Sequence, residues 1–236
     1  MMRAGGGEAV VFPPTLFILF LRSLKMKSVV ILISGRGSNL LALLEAQLPG
    51  RIAAVISNRP EAKGLELARS RGVAALALDH RRYANREEFD LALAAEIDRH
   101  GADLVVLAGF MRILTEGFVR HFDGRLMNIH PSLLPAFPGL HTHQRALDEG
   151  VRIHGCTVHF VTPALDHGPV IVQAAVPVLD GDDEATLAAR VLQQEHLAYP
   201  LAVRWFAEGR LRLEGCRVRV DAAQNGEAVL IAPALR

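Results

Sequence analysis

The sequence predicts an α/β fold: a doubly wound, mostly parallel sheet followed by a small β-rich C-terminal tail. Three observations carry this. From residue 28 to residue 108, short β-branched runs alternate with helix-patterned stretches, the order expected of βαβ units. The strand-like runs, SVVILIS above all, are almost continuously apolar, as strands covered on both faces have to be. The chain of 236 residues is half hydrophobic with a net charge of +1. That is enough for one sizeable core and too neutral for a nucleic-acid-binding surface.

Residues 1–26 read as foreign to the rest of the chain. The apolar run 16–21 is too short to span a membrane, and no small-residue cleavage site comes after it. The expectation is a leader over 1–26, disordered or upstream of the true start at Met26, and a single domain over 27–236. From there, strands are predicted at 28–34, 52–57, 73–78 and 103–108. Helices are predicted at 40–47, 62–71 and 87–100, the last two stopped by Gly72 and Gly101. A buried strand should start at Leu126 and stop at Pro131. His141-Thr142-His143, a short helix running to Glu149, and strands at 153–162 and 170–177 come next. A long amphipathic helix at 182–207, interrupted by Pro200, precedes a β-rich tail at 211–220 and 228–231.

Doubly wound sheets bind ligands outside the carboxyl ends of their strands. Three segments fall there. Gly35-Arg36-Gly37-Ser38-Asn39 joins a strand to a helix, the arrangement in which glycines and free helix N–H groups cradle a phosphate. It lacks the third glycine of a dinucleotide fingerprint and the Gly-Lys-Ser/Thr of a P-loop. A plain glycine turn, with Ser38 or Asn39 capping the helix, fits the same residues. Gly109-Phe110-Met111-Arg112-Ile113-Leu114 is the second segment. The third is Asn128-Ile129-His130-Pro131. Pro131 keeps His130 extended, and residues two apart in a strand share a side, so Asn128 and His130 should project together. An amide donor and an imidazole suit chemistry at a carbonyl; a turn cap and a packed histidine are the bland alternative. Asp166, in a Gly/Pro loop, reads equally as a turn former.

Ten histidines raise the question of zinc. His141-Thr142-His143, with no nearby cysteine and no His-Glu-x-x-His, is a poor metal pattern, and none is predicted. Cys156 and Cys216 are read as free thiols in a reducing, cytoplasmic compartment.

Five blocks occur in register: ISGRGSNL from Ile33, LAGFMRIL from Leu107, NIHPSLLP from Asn128, PGLHTH from Pro138 and LDHGP from Leu165. Together they resemble the folate-dependent phosphoribosylglycinamide formyltransferases of purine synthesis, over Met26 to about Gly209. The resemblance implies a formyltransferase-like Rossmann variant and 10-formyltetrahydrofolate as co-substrate. It also implies glycinamide ribonucleotide as acceptor, and neither a metal nor a nucleic-acid or membrane partner. It implies catalytic roles for Asn128, His130 and Asp166, the carboxylate holding the imidazole protonated. Gly37, Ser38, Asn39 and Glu195 fall to the ribonucleotide, and Arg86, Met111, Arg112, Ile113, Leu114 and Asn128 to the folate. For Glu195 a solvated helix face is the alternative. Two residues depart from the family pattern: His167, where small residues are usual, and Leu192, at a position that is polar in some members.

Two relatives fit less well. Formyltetrahydrofolate deformylase, similar around the same trio, carries an added N-terminal domain that the short leader does not supply. Methionyl-tRNA formyltransferase has a C-terminal RNA-binding domain, for which the tail is too short and the charge too neutral. A non-catalytic nucleotide-binding module would bind without turnover.

Overall fold

The computed structural model describes residues 26–222 and Ala232. Residues 1–25 of the leader expected over 1–26, and the strand expected at 228–231, lie outside them. Seven strands form one sheet: β1 Lys27–Ile33, β2 Gly50–Ser57, β3 Ala75–Ala77, β4 Leu104–Leu107, β5 Leu126–His130, β6 Ile153–Phe160 and β7 Val170–Pro177. Their order is β3-β2-β1-β4-β5-β6-β7. β1 to β5 run parallel, and β6 and β7 pair antiparallel at one side. The chain reverses its direction of progress across the sheet between β1 and β4, the switch point at which such sheets open a crevice.

Alternation along β1 explains both covering layers. Val29, Ile31 and Ile33 point into a core shared with α1 (Ser38–Glu45), α2 (Lys63–Ser70) and α6 (Glu184–Ala207). Val30 and Leu32 point the other way, against Phe89, Leu93 and Ile97 of α3 (Arg86–Arg99) and Phe118 and Val119 of α4 (Glu116–His121). Each face of the sheet is thus sealed by its own helices. Tyr199 on α6 is fully buried, and its hydroxyl faces the carbonyls of Leu107 and Met127 at 3.0 and 3.1 Å. It ties the last residue of β4 to the second residue of β5 from beneath.

Several expectations shift. The third strand shrinks to three residues. The helix after β1 begins at Ser38 rather than Leu40, because Gly37 (φ +84°) occupies its cap position; neither Ser38 nor Asn39 caps it. α6 runs unbroken for 24 residues with Pro200 inside it, so the expected interruption is absent. Proline there removes one backbone bond, but buried neighbours on either side (Ala198, Tyr199, Ala202, Val203) pack against the core and keep the helix together. α4 and a 3-10 turn over His80–Arg82 have no counterpart among the elements expected from sequence. α5 (Thr142–Asp148) and the hairpin β8–β9 (Leu211–Glu214, Arg217–Val220) do. Cys156 is buried and Cys216 exposed, both free. Among the described residues no helix is long and apolar enough to cross a membrane.

Candidate active site

β5 places Asn128 and His130 on one side of the sheet, since Met127 and Ile129 between and beside them point into the opposite core. The strand has to end here, because the peptide nitrogen of Pro131 carries no hydrogen. His130 is 6% exposed. Its Nε2 donates to the Phe137 carbonyl at 2.9 Å, and its Nδ1 lies 3.5 Å from Oδ2 of Asp166. Both ring nitrogens therefore face acceptors, so a doubly protonated ring finds a partner at each N–H.

Asp166 reaches this position on a loop between β6 and β7, from a left-handed backbone (φ +50°). Its Oδ2 also accepts the Gly139 N–H at 2.8 Å, which fixes the carboxylate against the loop after β5. Gly168 permits the approach: a Cβ there would sit 1.7 Å from the Phe160 carbonyl oxygen. Thr157, opposite His130 in the antiparallel register, completes the frame. Its hydroxyl donates to the Ser132 carbonyl at 2.7 Å and accepts the Leu134 N–H at 3.0 Å.

His159, which the sequence did not single out, pairs with Asn128 across the same register. Its Nδ1 donates to the Phe160 carbonyl at 2.9 Å, which leaves Nε2 as acceptor for an Asn128 amide N–H at 3.4 Å. Burial lowers its pKa and favours this neutral form. The second Asn128 N–H has no protein partner among the described residues. A signal for His159 was present: Thr157 and His159 alternate with the apolar Cys156, Val158 and Phe160. Only the antiparallel register shows that this polar side faces Asn128.

At the end of β1, Gly35, Arg36 and Ser38 are exposed, and α1 begins with no side-chain cap, so its first N–H groups stay open to an anion. Asn39 donates to Glu195 at 2.8 Å. Glu195 is 7% exposed, which excludes a solvated helix face; burial raises its pKa, and the Asn39 bond partly offsets this. The four ribonucleotide positions drawn from the resemblance (Gly37, Ser38, Asn39 and Glu195) thus share one corner. The folate positions share another. Arg112 stacks on the Phe89 ring at 4.9 Å, one helical turn from the exposed Arg86 at the start of α3. Met111 and Ile113 are exposed, as are Leu140 and Leu165 on the two loops that frame His130. Large apolar side chains left in water around a polar centre mark a ligand surface. His167 is exposed and Leu192 half-buried, and neither contacts the trio's hydrogen bonds. Among the described residues no group of three or more His, Cys, Asp or Glu could hold a metal ion.

The chain is similar to proteins of one family. A formyl transferase family model matches residues 26–203. Phosphoribosylglycinamide formyltransferase of Escherichia coli (strain K12) is 54% identical over 190 residues, spanning 79% of this chain and 90% of that protein. The crystal structure of glycinamide ribonucleotide transformylase 1 from Symbiobacterium toebii superposes with a TM-score of 0.80 at 53% identity, covering 83% of this chain and 94% of that one. A formyltetrahydrofolate deformylase from Burkholderia mallei is more distant, at 30% identity and a TM-score of 0.76, covering 84% and 71%. The family match, the sequence likeness and the structural superposition together span most of the chain, and the chain belongs to the formyl transferase family.

Proposed function

We propose that this chain transfers the formyl group of 10-formyltetrahydrofolate to the amine of glycinamide ribonucleotide in purine biosynthesis, in the cytoplasm, with residues 27–236 as one catalytic domain. One juxtaposition carries the reading. The His130 and Asp166 side chains meet at the carboxyl end of β5 with Asn128 on the same side of that strand, and the neighbouring strands β1 and β4 end in an uncapped helix N-terminus and an exposed apolar segment. A phosphate-bearing amine and an apolar ring system need those two neighbours.

The ribonucleotide phosphate sits at Gly37, Ser38 and Asn39, and Glu195 faces the same substrate. The folate ring system lies against Met111, Arg112, Ile113 and Leu114, with Arg86 offering a cation to its carboxylates. The amine lone pair forms a bond to the formyl carbon, and the carbonyl pair moves onto oxygen. The free Asn128 N–H and the cationic His130 ring stabilise that oxyanion; a donor in such a place is worth about two to three orders of magnitude in rate. The amine releases a proton and the folate nitrogen takes one up, with His130 or an ordered water as carrier. The oxygen pair then returns and the bond from carbon to the folate nitrogen breaks. Asp166 holds the imidazole in register throughout. Each step is a proton transfer, an addition or an elimination that the side chains themselves can assist.

The test is amine dependence. The protein is mixed with 10-formyltetrahydrofolate, with and without glycinamide ribonucleotide, and folate absorbance is monitored. Turnover only with the ribonucleotide is expected. Turnover without it would make the chain a deformylase, and binding without turnover a non-catalytic module.

A further inference from the structure

The ends of four neighbouring strands are joined by one string of polar groups, buried at its centre. His80, just past β3, donates through Nδ1 to the Asn58 carbonyl at 2.9 Å. Asn58 comes directly after β2, and its Oδ1 accepts the Ser34 hydroxyl at 2.6 Å. Ser34 comes directly after β1, and its oxygen accepts the Met111 N–H at 2.8 Å, beyond β4. Asn58 and Ser34 are 2% and 3% exposed. Directionality fixes what each group does. A serine hydroxyl has one proton, and here Asn58 takes it. The lone pairs of Ser34 are therefore turned towards Met111, and Asn58 acts on Met111 through Ser34.

The other end of the same segment is held independently. Asp90 of α3, 2% exposed, accepts the Thr115 N–H through Oδ2 at 2.6 Å. Between these two anchors the chain carries Met111 and Ile113, residues that are each 65% exposed. Large apolar groups are thus presented to solvent on a backbone fastened at both ends. A backbone held this way meets a ligand without having to be ordered by it first.

We infer that Ser34 with Asn58, and Asp90 separately, are positioning residues for the folate side of the site, setting the backbone of residues 111–114 without touching substrate. This rests on the proposed transfer reaction, because it assigns residues 111–114 to the folate. The ribonucleotide side has its own supports in Gly37 and the Asn39–Glu195 pair, so the two Michaelis constants should separate.

Four proteins are compared: the full chain, Ser34→Ala, Asp90→Ala and Asp90→Asn, the last keeping an acceptor oxygen. In Ser34→Ala and Asp90→Ala, KM for 10-formyltetrahydrofolate should rise about tenfold while KM for glycinamide ribonucleotide moves less than twofold; tenfold corresponds to about 1.4 kcal/mol. Asp90→Asn should restore most of the loss. Amide hydrogen exchange gives a readout that needs no activity: exchange should speed up across residues 111–115 and stay unchanged at residues 128–131. Equal shifts in both Michaelis constants, or unaltered exchange at residues 111–115, would overturn the inference. An inactive full chain would instead sink the transfer reaction, and exchange would then decide the anchoring alone.

Discussion

On the β1 side of the cleft the site is made of backbone. Gly35, Arg36 and Ser38 are exposed, α1 starts from a left-handed glycine, and no side chain fills its N-terminus. On the β5 side it is made of buried side chains. His130, Thr157 and His159 are each less than a tenth exposed, and nearly every polar atom there is held by another. The first bank is left for a ligand to complete; the second is assembled before any ligand arrives. The physical reason is the different work proposed for each. A phosphate brings its own charge and needs only open donors. A short-lived oxyanion needs donors already oriented when charge develops, because reorienting them at that moment would cost the stabilisation they supply.

Four substitutions or conditions sharpen this contrast. Asp166→Asn removes the charge but keeps an oxygen for the Gly139 N–H. It should lower kcat by about three to four orders of magnitude while substrate binding changes little, as read by single-turnover kinetics and equilibrium binding. A comparable fall in affinity would mean that the β5 bank binds rather than catalyses. Asn128→Ala should lower kcat about a hundredfold to a thousandfold, again without a large change in either KM.

A pH series probes burial behind the β5 bank, at His154 of β6, whose buried ring meets those of Phe137 and His143. Burial, with His143 beside it, pushes the pKa of His154 down to about 4. The unfolded chain takes up that proton near pH 6.5, so between about 6.5 and 4 it binds more protons than the folded one. Stability should therefore fall as pH drops through this window, by on the order of 3 kcal/mol from this residue. His154→Phe should flatten the acid limb of a urea-denaturation series, and an unchanged limb would show that His154 is not buried neutral. The smallest effect belongs to the open bank. Gly37→Ala forces a side chain onto a residue at φ +84°, with its Cβ 3.3 Å from the Gly64 Cα. KM for glycinamide ribonucleotide should rise about tenfold and stability drop by about 1 kcal/mol, with kcat nearly unchanged. A fall in kcat as large as that of Asn128→Ala would erase the distinction between the banks.

Much of the open bank was legible in the chain, because it depends on neighbours in sequence. A glycine turn between an apolar run and a helical pattern is a local feature, and the structure moved its helix start by only two residues. The pairing of Asn128 with His130 was legible for the same reason: Pro131 and a two-residue period suffice. Asp166 was different. In sequence it is a turn residue, and only its resemblance to a family motif lifted it above that. Its contact with His130 spans 36 positions of chain and depends on β6 and β7 returning antiparallel. The helix α4 was missed because six residues hold too little periodicity to stand out. Pro200 was over-read, since its local cost is outweighed by packing that the sequence does not display.

The amino-acid order alone determined the layered α/β architecture, the two-faced core and the strand ends where chemistry collects. Each comes from periods of two and 3.6 residues and from where glycine and proline fall. The tertiary structure alone decided that β6 and β7 return antiparallel and that His159 faces Asn128. It alone decided that Asp166 closes on His130, and that Ser34, Asn58 and Asp90 hold the segment beside them. Those contacts join residues distant in the chain, and strand register, which no local pattern encodes, is what brings their atoms within hydrogen-bonding distance.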